Sequence, residues 1–257
     1  MANIRLIGRL DVKMQHLIKG IQYEGWRKVG DPGEFARNYY EQGIDELIFM
    51  DVVASLYERN NLTEIVEHTA QETFIPLTVG GGIRTLQDVK QVLSVGADKV
   101  AVNTIATREP DILKAMSDTY GSQATVLSIE AKRNRDGVTW EAMTENGRNH
   151  TGLDVVDWAA KAESYGAGEI LLASIDRDGT RKGMDIELIK AVTSAVNIPV
   201  IATGGVGEPA HVVDAVQQGG AEAVALARAL HYQDISLADL RSSLENAGLS
   251  VRPLEAA

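Results

Sequence analysis

Residues 75–83 read IPLTVGGGI, and residues 198–207 repeat the phrase as IPVIATGGVG. Pro76 and Pro199 are 123 positions apart, and a glycine pair follows each of them at the same distance. In both copies a short apolar run ends directly in glycines, which is typical of a buried strand followed by a tight turn. The repetition indicates a chain that is built from two similar halves.

Other segments extend the repeat in both directions. The further matches are GIDELIF (43–49) with GAGEILL (166–172), GADKVAVN (96–103) with GAEAVALA (220–227), and GRLDVK (8–13) with LSIEAK (127–132). They pair Asp11 with Glu130 and Glu46 with Glu169. Each half then contains four short apolar runs in the same order, so that the whole chain has eight.

Helical patterns follow the apolar runs. Residues 33–42 and 208–218 each carry an apolar stripe, with Asp31-Pro32 and Glu208-Pro209 as their start signals, and Thr85 with Asp88 resembles a capping box. Runs such as ELIFM at 46–50, apart from its first residue, are continuous rather than alternating in apolar character, as in strands that are buried on both faces. Eight alternating strands and helices predict an α/β fold, a single (β/α)8 TIM barrel made of two similar half-barrels.

The predicted barrel spans residues 1–257 as one domain. A doubly wound open sheet is the competing architecture, but two equivalent halves of four units close more naturally. Residues 133–151, RNRDGVTWEAMTENGRNHT, interrupt the alternation, and the turn signals RDG and ENG predict a small hairpin inserted after the fifth strand. We expect YERNN at 57–61 to be a solvated polar loop, and we place Lys19 and Trp26 in a long loop after the first strand.

The composition limits the classes of function. The net charge of −11 disfavours nucleic acid as a partner, because binding to nucleic acid depends on attraction to its phosphates. Without cysteine the chain can have no disulfide, thiolate nucleophile or thiolate metal site, and its five histidines show no ligand spacing, so we expect neither metal nor cofactor. No apolar run approaches the roughly 18 residues of a membrane helix, and the chain begins without a cleavage signal. The expected location is the cytoplasm, away from the membrane.

Glycines and small polar residues follow matched strands in the two halves. In a barrel of this kind the loops after the strands form the active face, where glycine lets backbone N–H groups approach an anion. We therefore predict two phosphate cradles, made of Gly81, Gly82, Asn103 and Thr104 in the first half and of Gly204, Gly205, Ala227 and Arg228 in the second. One glycine pair can merely satisfy turn geometry, but two matched sets favour a small-molecule substrate with a phosphate at each end.

Two carboxylates stand between the predicted cradles. Asp11 and Glu130 end strands one and five, which face each other across an eight-stranded barrel, and such a pair suits general acid–base catalysis. Further catalytic candidates at this end of the barrel are Lys19, Asp51 and Asp178. Asp176 either forms a structural ion pair with the neighbouring Arg177 or joins the site.

Four charged residues begin strands at the opposite end of the barrel. They are Arg5, Glu46, Lys99 and Glu169, at the starts of strands one, two, four and six. Charges at this face usually form a solvated or stabilising rim. A ring of alternating sign could instead gate an opening into the barrel, and sequence spacing leaves both readings open.

Over nearly its whole length the chain resembles the cyclase subunit of imidazole glycerol phosphate synthase, an enzyme of histidine biosynthesis. Shared phrases are LDVK, KG, GDP, DELIFMD, TVGGGIR, GADKVAVNT, GSQ, AKR, TGLD, GAGEILLASIDRDGT and GGVG. The resemblance implies a heterodimer with a glutaminase subunit on the N-terminal face, and ammonia that crosses the barrel to emerge between the catalytic carboxylates. It implies catalysis by Asp11 and Glu130 with help from Asp178, phosphate binding at both cradles, and an ammonia gate at the four-residue rim.

Three positions depart from the pattern of that family. The family has Asp where Glu130 stands, usually Cys where Arg9 stands, and Ser where Arg228 stands. Arg228 could clamp a phosphate or occupy its place through a salt bridge, and we expect clamping because guanidinium and phosphate geometries match. The phrases RLDVK, EGWRKVG, MDVVASLYERNN and SIEAK instead resemble a paralogous branch similar to amidotransferases that amidinate surface-polysaccharide sugars.

Three hypotheses of function follow. The first is an ammonia-dependent synthase that converts the bis-phosphorylated ribulosyl aminoimidazole carboxamide intermediate to imidazole glycerol phosphate and aminoimidazole carboxamide ribonucleotide. The second is a paralogous subunit that uses channelled ammonia on a sugar. The third is a non-catalytic scaffold for the glutaminase, which is disfavoured because an idle barrel need not keep Asp11, Lys19, Asp51 and Asp178 together.

Overall fold

Eight parallel strands close into a barrel in which neighbours in space are neighbours in chain order and the first strand pairs with the last. A computed structural model gives the structure of the chain and describes residues 3–53 and 62–254. The barrel strands are β1 (Arg5–Lys13), β4 (Glu46–Asp51), β5 (Leu77–Gly80), β6 (Lys99–Val102), β7 (Thr125–Arg133), β10 (Glu169–Ser174), β11 (Val200–Thr203) and β12 (Ala223–Leu226). The predicted barrel is confirmed and the alternative of an open sheet is wrong, because the last strand, β12, pairs in parallel with the first strand, β1. The predicted polar loop at 57–61 lies outside the described residues.

Helices surround the barrel, and three of them start at the signals that the sequence predicts. They are α1 (Pro32–Glu41), α2 (Thr63–Glu72), α3 (Leu86–Ser94), α4 (Thr104–Arg108), α5 (Asp111–Tyr120), α6 (Val155–Ser164), α7 (Ile186–Thr193), α8 (Pro209–Gln217), α9 (Arg228–His231) and α10 (Leu237–Asn246). The predicted capping box at the start of α3 is confirmed, since the Thr85 side chain accepts from the Asp88 N–H and the Asp88 side chain accepts in return. Within residues 3–53 and 62–254, every helix is too short or too polar to cross a membrane.

Two antiparallel hairpins stand on the carboxyl-terminal end of the barrel. One consists of β2 (His16–Ile21) and β3 (Glu24–Gly30), and the other of β8 (Trp140–Thr144) and β9 (Asn149–Asp154). β1 pairs antiparallel with β2, and β7 pairs antiparallel with β8, so both half-barrels extend their first strand in the same way. The prediction of a loop after the first strand was therefore wrong. Leu17 and Ile18 are buried, and this burial stabilises β2 as a strand.

The barrel interior changes from apolar to charged along its axis. Its middle is filled by Ile7, Ile48, Ala101, Val126, Leu171, Ile201, Ala223 and Ala225. Successive side chains of a strand point to opposite faces, so Arg5, Ile7, Arg9 and Asp11 share the inner face of β1. This order places one charged layer at the amino-terminal end of the barrel and another at the carboxyl-terminal end.

Candidate active site at the carboxyl ends of the barrel strands

Asp11 and Glu130 lie near the carboxyl ends of β1 and β7, the first and fifth barrel strands. Asp11 is 6% exposed, and its two oxygens contact different cations. Arg9 Nε donates to Asp11 Oδ1 at 2.8 Å, and Lys19 Nζ lies 3.7 Å from Asp11 Oδ2. Burial alone would raise the pKa of Asp11, but Arg9 and then Lys19 hold that pKa below its ordinary value. Asp11 is therefore a carboxylate that keeps its negative charge.

Glu130 has the opposite electrostatic environment. Its Oε2 accepts a hydrogen bond from the Gly147 N–H, at the turn of the β8–β9 hairpin, at 2.8 Å. Loss of hydration around the carboxylate raises the pKa of Glu130 to about 7, although the Gly147 bond and the charge of Arg9 both oppose this rise. Near neutral pH, Glu130 can thus carry a proton while Asp11 does not. Two carboxyl groups with separated pKa values are what paired acid and base roles require.

Lys19 joins the first hairpin to the loop after β10. Its Nζ lies 2.7 Å from Asp178 Oδ1 and 2.9 Å from Asp178 Oδ2, and both side chains are buried. The backbone N–H of Gln22 donates to the carbonyl of Asp178 at 2.9 Å, which fixes the hairpin against this loop. The structure thus brings together the predicted residues Asp11, Lys19 and Asp178.

The first predicted cradle lines a pocket of about 160 Å³ beside Glu130. The predicted residues in its wall are Asp51, Gly81, Gly82, Asn103 and Thr104, and Asp51 Oδ1 also accepts from the Val53 N–H at 3.0 Å. Gly81 has φ +95°, and a Cβ there would lie 2.2 Å from the carbonyl oxygen of Asp51. Only glycine, which has no Cβ, allows the backbone of residue 81 to lie this close to the carbonyl of Asp51. The backbone of Gly81 therefore forms part of the pocket wall.

The second predicted cradle lines a narrower pocket of about 20 Å³, whose wall includes Gly204, Gly205, Ala227 and Arg228 together with Lys19 and Asp178. The guanidinium of Arg228 lies 4.8 Å from the centre of the Tyr232 ring. Arg228 Nε is 3.9 Å from Asp234 Oδ2, which is a loose ion pair without a hydrogen bond. Arg228 therefore borders the cradle without being locked by a close salt bridge.

A third, small pocket of about 10 Å³ lies between the two cradles and contains Asp11 in its wall. It shares Arg9 and Asn146 with the first cradle and Lys19 and Asp178 with the second. The three pockets thus form one row across the mouth of the barrel, with Asp11 in the central pocket and Glu130 in the wall of the first. Asn146 Nδ2 donates to the carbonyl of Val52, so the second hairpin reaches across this row.

Sequence reasoning missed two residues of the central pocket as site residues. Arg9 was noted only as a departure from a family pattern, although its position two residues before Asp11 places both side chains on one face of β1. Tyr23 stands in the turn of the β2–β3 hairpin, and burial raises the pKa of its hydroxyl. Its ring centre lies 6.0 Å from the guanidinium of Arg9. No sequence signal points to Tyr23, because the sequence predicts a loop for this segment.

Asp176 and His231 are both held by hydrogen bonds to groups outside the row of pockets. Asp176 accepts from the Arg133 N–H at 2.8 Å, so its partner is a backbone group and not Arg177. His231, one of the five histidines, is buried and shares a 2.7 Å hydrogen bond between its Nδ1 and the hydroxyl of Tyr39. Burial lowers the pKa of His231 to about 3, so the imidazole is neutral.

At the opposite end of the barrel, the four charged residues that begin strands form a closed ring of ion pairs. Arg5 donates to Glu46 at 2.8 Å and to Glu169 at 2.5 Å. Lys99 donates to Glu46 at 3.1 Å and to Glu169 at 2.9 Å. Each carboxylate thus bridges both cations, and the ring covers the end of the apolar barrel interior.

Comparison with known proteins gives consistent matches. The family model described as "Histidine biosynthesis protein" matches residues 5–236. The chain is 62% identical, over 81% of its length and 98% of the relative, to a protein named imidazole glycerol phosphate synthase subunit HisF from Legionella pneumophila. Proteins of the same name from Myxococcus xanthus and Caulobacter vibrioides are 49% and 45% identical, over 97% and 98% of this chain and 98% and 97% of their own lengths.

Proposed function

The chain belongs to the HisF family of histidine biosynthesis proteins, the cyclase subunits of imidazole glycerol phosphate synthase, and on that premise we propose how its barrel carries out the reaction. The substrate is the bis-phosphorylated ribulosyl aminoimidazole carboxamide intermediate, and the products are imidazole glycerol phosphate and aminoimidazole carboxamide ribonucleotide. The observation that carries this proposal is the row of three pockets, which has a glycine-lined cradle at each end, Asp11 in the central pocket and Glu130 in the wall of the first cradle.

The two cradles hold the two phosphates and so fix the substrate across the barrel mouth. In each cradle, glycines with positive φ bring the backbone close to the ligand, as at Gly82 with φ +72° and Gly205 with φ +99°. Backbone N–H groups bind phosphate without a metal or a charged side chain. Fixing both ends of one substrate lowers the entropy cost of reaching the reactive geometry.

The carboxylates divide the proton transfers. Asp11, which Arg9 and Lys19 keep ionised, accepts a proton from the attacking ammonia nitrogen. Glu130, whose pKa of about 7 leaves it protonated in part at neutral pH, donates a proton to the departing group. A general acid works best when its pKa is near the working pH. Lys19 and Asp178 hold the hairpin over the reacting atoms and help to position Asp11.

Ammonia reaches the carboxylates from a glutaminase subunit on the amino-terminal face. Two observations support this face. The ring of Arg5, Glu46, Lys99 and Glu169 stands at the entrance to the apolar interior, which a neutral molecule such as ammonia can cross. In the same region, Phe74 precedes β5, is 79% exposed and packs edge-on against Tyr40, which gives the partner an apolar contact.

One observation favours a second candidate, the amidination of a sugar by a paralogous subunit. The second cradle encloses about 20 Å³ against about 160 Å³ in the first, and Arg228 turns towards Tyr232 and Asp234. A substrate with a phosphate at one end alone would need only the larger cradle. Phosphate binding to each cradle separates the two candidates.

The test of the proposed function is complementation of a histidine auxotroph that lacks its cyclase, with the glutaminase partner supplied. We expect the wild-type chain to restore growth and the variant Asp11→Asn to fail, because loss of a general base costs about 10²–10⁴ in rate. The control is Asp118→Asn, which removes an exposed carboxylate paired with Lys114 and should restore growth. No growth with soluble wild-type protein, or full growth with Asp11→Asn, would overturn the assignment.

A further inference from the structure

Arg9 is a buried cation placed directly beneath the proposed reacting atoms. It is 7% exposed, lies on the inner face of β1, and donates from Nε to Asp11 Oδ1 at 2.8 Å. It forms part of the wall of both the first cradle and the central pocket. A guanidinium at this depth stays charged, and the negative charge of Asp11 raises the pKa of Arg9 further despite the cost of burial.

Arg9 is bonded to Asp11 and not to Glu130. Asp11 has two cationic neighbours, Arg9 and Lys19, but Lys19 is bound more closely to Asp178. Among the described residues, no lysine, arginine or histidine forms an ion pair with Glu130, whose oxygen accepts from the Gly147 backbone instead. The direct partner that distinguishes the environment of Asp11 from that of Glu130 is therefore Arg9.

The titratable and charged groups around the pair come from several elements. Those around Asp11 are Arg9 on β1, Lys19 on β2, Tyr23 in the turn of the β2–β3 hairpin, Asp178 after β10 and His231 on α9. Tyr23 stays protonated because burial raises the pKa of its hydroxyl, and the Asp178 carboxylate is bound to Lys19. Those that act on Glu130 are Arg9 and Asp11 on β1, together with the dipoles of Gly147 and Asn103. His231 is neutral through burial, and Asn103 and Gly147 carry no net charge. Arg9 and Lys19 are thus the cations that decide the charge of Asp11.

We propose that Arg9 is a positioning residue that assigns the two proton-transfer roles, holding Asp11 as the proton acceptor and leaving Glu130 as the proton donor. The proposal rests on the proposed function for the identity of the reaction. Its geometry is the 2.8 Å bond to one carboxylate and the absence of an equivalent bond to the other among residues 3–53 and 62–254. Arg9 also fixes the side-chain orientation of Asp11, because the bond joins two buried groups on one strand face.

Removal of the guanidinium has a calculable consequence. An opposite charge within about 4–6 Å lowers an aspartate pKa by about 1–3 units, so its loss should raise the pKa of Asp11 by a comparable amount. Asp11 would then be protonated in moderately acidic solution and could no longer act as the base. The pKa of Glu130 should rise as well, since the charge of Arg9 lowers it in the wild type.

The experiment compares the wild type with Arg9→Met, which removes the charge, and Arg9→Lys, which keeps it. Carboxyl ¹³C NMR titration of the full-length proteins reads the pKa of Asp11 directly, with the signal assigned from Asp11→Asn. The rate with the bis-phosphorylated intermediate and ammonium salt is then measured for each variant relative to wild type at the same pH, so that the ammonia concentration cancels. Arg241→Met is the matched control, because Arg241 is an equally buried arginine that bonds Asp45 at 2.8 Å, far from the mouth.

We expect the Asp11 titration to move upwards by about 1–3 units in Arg9→Met and to return towards wild type in Arg9→Lys. The relative rate of Arg9→Met should fall about tenfold for each pH unit below the new pKa, whereas that of Arg241→Met should not depend on pH. An Asp11 titration that does not move in folded Arg9→Met would overturn the proposal, as would a relative rate that is constant with pH. If wild type itself has no activity while the Asp11 titration moves as expected, the proposed function fails and the role of Arg9 stands.

Discussion

Asn103 and Ala227 have nearly the same backbone conformation, with φ −127° and ψ −81° at Asn103 and φ −121° and ψ −87° at Ala227. They follow β6 and β12, the fourth and eighth barrel strands, and each precedes a short helix. One residue has a polar side chain and the other has a methyl group, so the shared geometry belongs to the backbone. A ligand bound in the same way by both halves must therefore be recognised mainly by main-chain groups.

Crystals soaked in phosphate should show an anion at each cradle. One anion is expected near Gly82, Asn103 and Thr104, and the other near Gly205 and Arg228, because glycine turns expose backbone N–H groups in both halves. An anion at the first cradle alone would contradict the two-phosphate substrate and favour the sugar as the alternative.

The variant Gly205→Ala should abolish phosphate binding at the second cradle and leave the first unchanged. Gly205 has φ +99°, and a Cβ there would lie 2.2 Å from the carbonyl oxygen of Gly183, so the turn must move. The control is Gly248→Ala, which also has a positive φ of +77° but has no atom within 4 Å of the added Cβ. Both variants should lose about 1–3 kcal/mol of unfolding free energy through backbone strain, and phosphate titration then isolates the local effect. Equal phosphate binding by both variants would remove the second cradle from the site.

Replacing Glu130 by Gln should make the unfolding free energy less dependent on pH. The pKa of Glu130 is about 7 in the folded protein, above its ordinary value of 4.5, so the folded state holds this proton more tightly. The resulting stabilisation is complete below about pH 4.5 and is lost as the pH rises through about 7, and it amounts to at most about 3 kcal/mol. Chemical denaturation of wild type and Glu130→Gln at both ends of this window measures the difference. The same pH dependence in both proteins would mean that Glu130 titrates normally.

The variant Lys99→Met should lower the amount of product formed per glutamine hydrolysed in the complex with the glutaminase. Lys99 bridges Glu46 and Glu169, so its loss opens one side of the ring and lets ammonia escape before it enters the barrel. Turnover with ammonium salt should change little, because the ring is remote from the carboxyl-terminal mouth. A loss of about 1–3 kcal/mol in unfolding free energy is expected from the missing charged hydrogen bonds. Unchanged coupling between glutamine hydrolysis and product formation would leave the ring a purely stabilising rim.

Replacing Phe74 by Glu should weaken binding of the glutaminase by at least about tenfold, or 1.4 kcal/mol, because a charge replaces an exposed aromatic anchor. Val138→Glu is the matched control, since Val138 is 71% exposed but lies in the turn between β7 and β8 at the opposite end of the barrel. Titration calorimetry with the purified partner measures both affinities. Loss of affinity in Val138→Glu but not in Phe74→Glu would place the partner on the other face.

The barrel could be predicted from the sequence because its signals are local and repeated. Buried strands read as apolar runs, glycine pairs end them, and the spacing of 123 residues between Pro76 and Pro199 shows that each half encodes the same four units. In a parallel barrel all strands start at one end and finish at the other. Asp11 and Glu130 could therefore be assigned to the carboxyl-terminal end of the barrel, and the four charged rim residues to the amino-terminal end. The first hairpin could not be predicted, because β2 has a short continuous buried run and β3 is largely exposed, so neither strand has an alternating pattern of its own.

By itself, the sequence determined the closed barrel, its twofold repeat and the residue types at each strand end. Only the tertiary structure decided which of these residues touch. Lys19 meets Asp178, 159 positions away, through the fold of a hairpin, and the rim residues close into a ring because four strands start at one level. The separate proton affinities of Asp11 and Glu130 are also tertiary properties. They depend on burial and on the charge of Arg9, which is bonded to Asp11 and also acts on Glu130, because a charge acts over a distance in space and not along the chain.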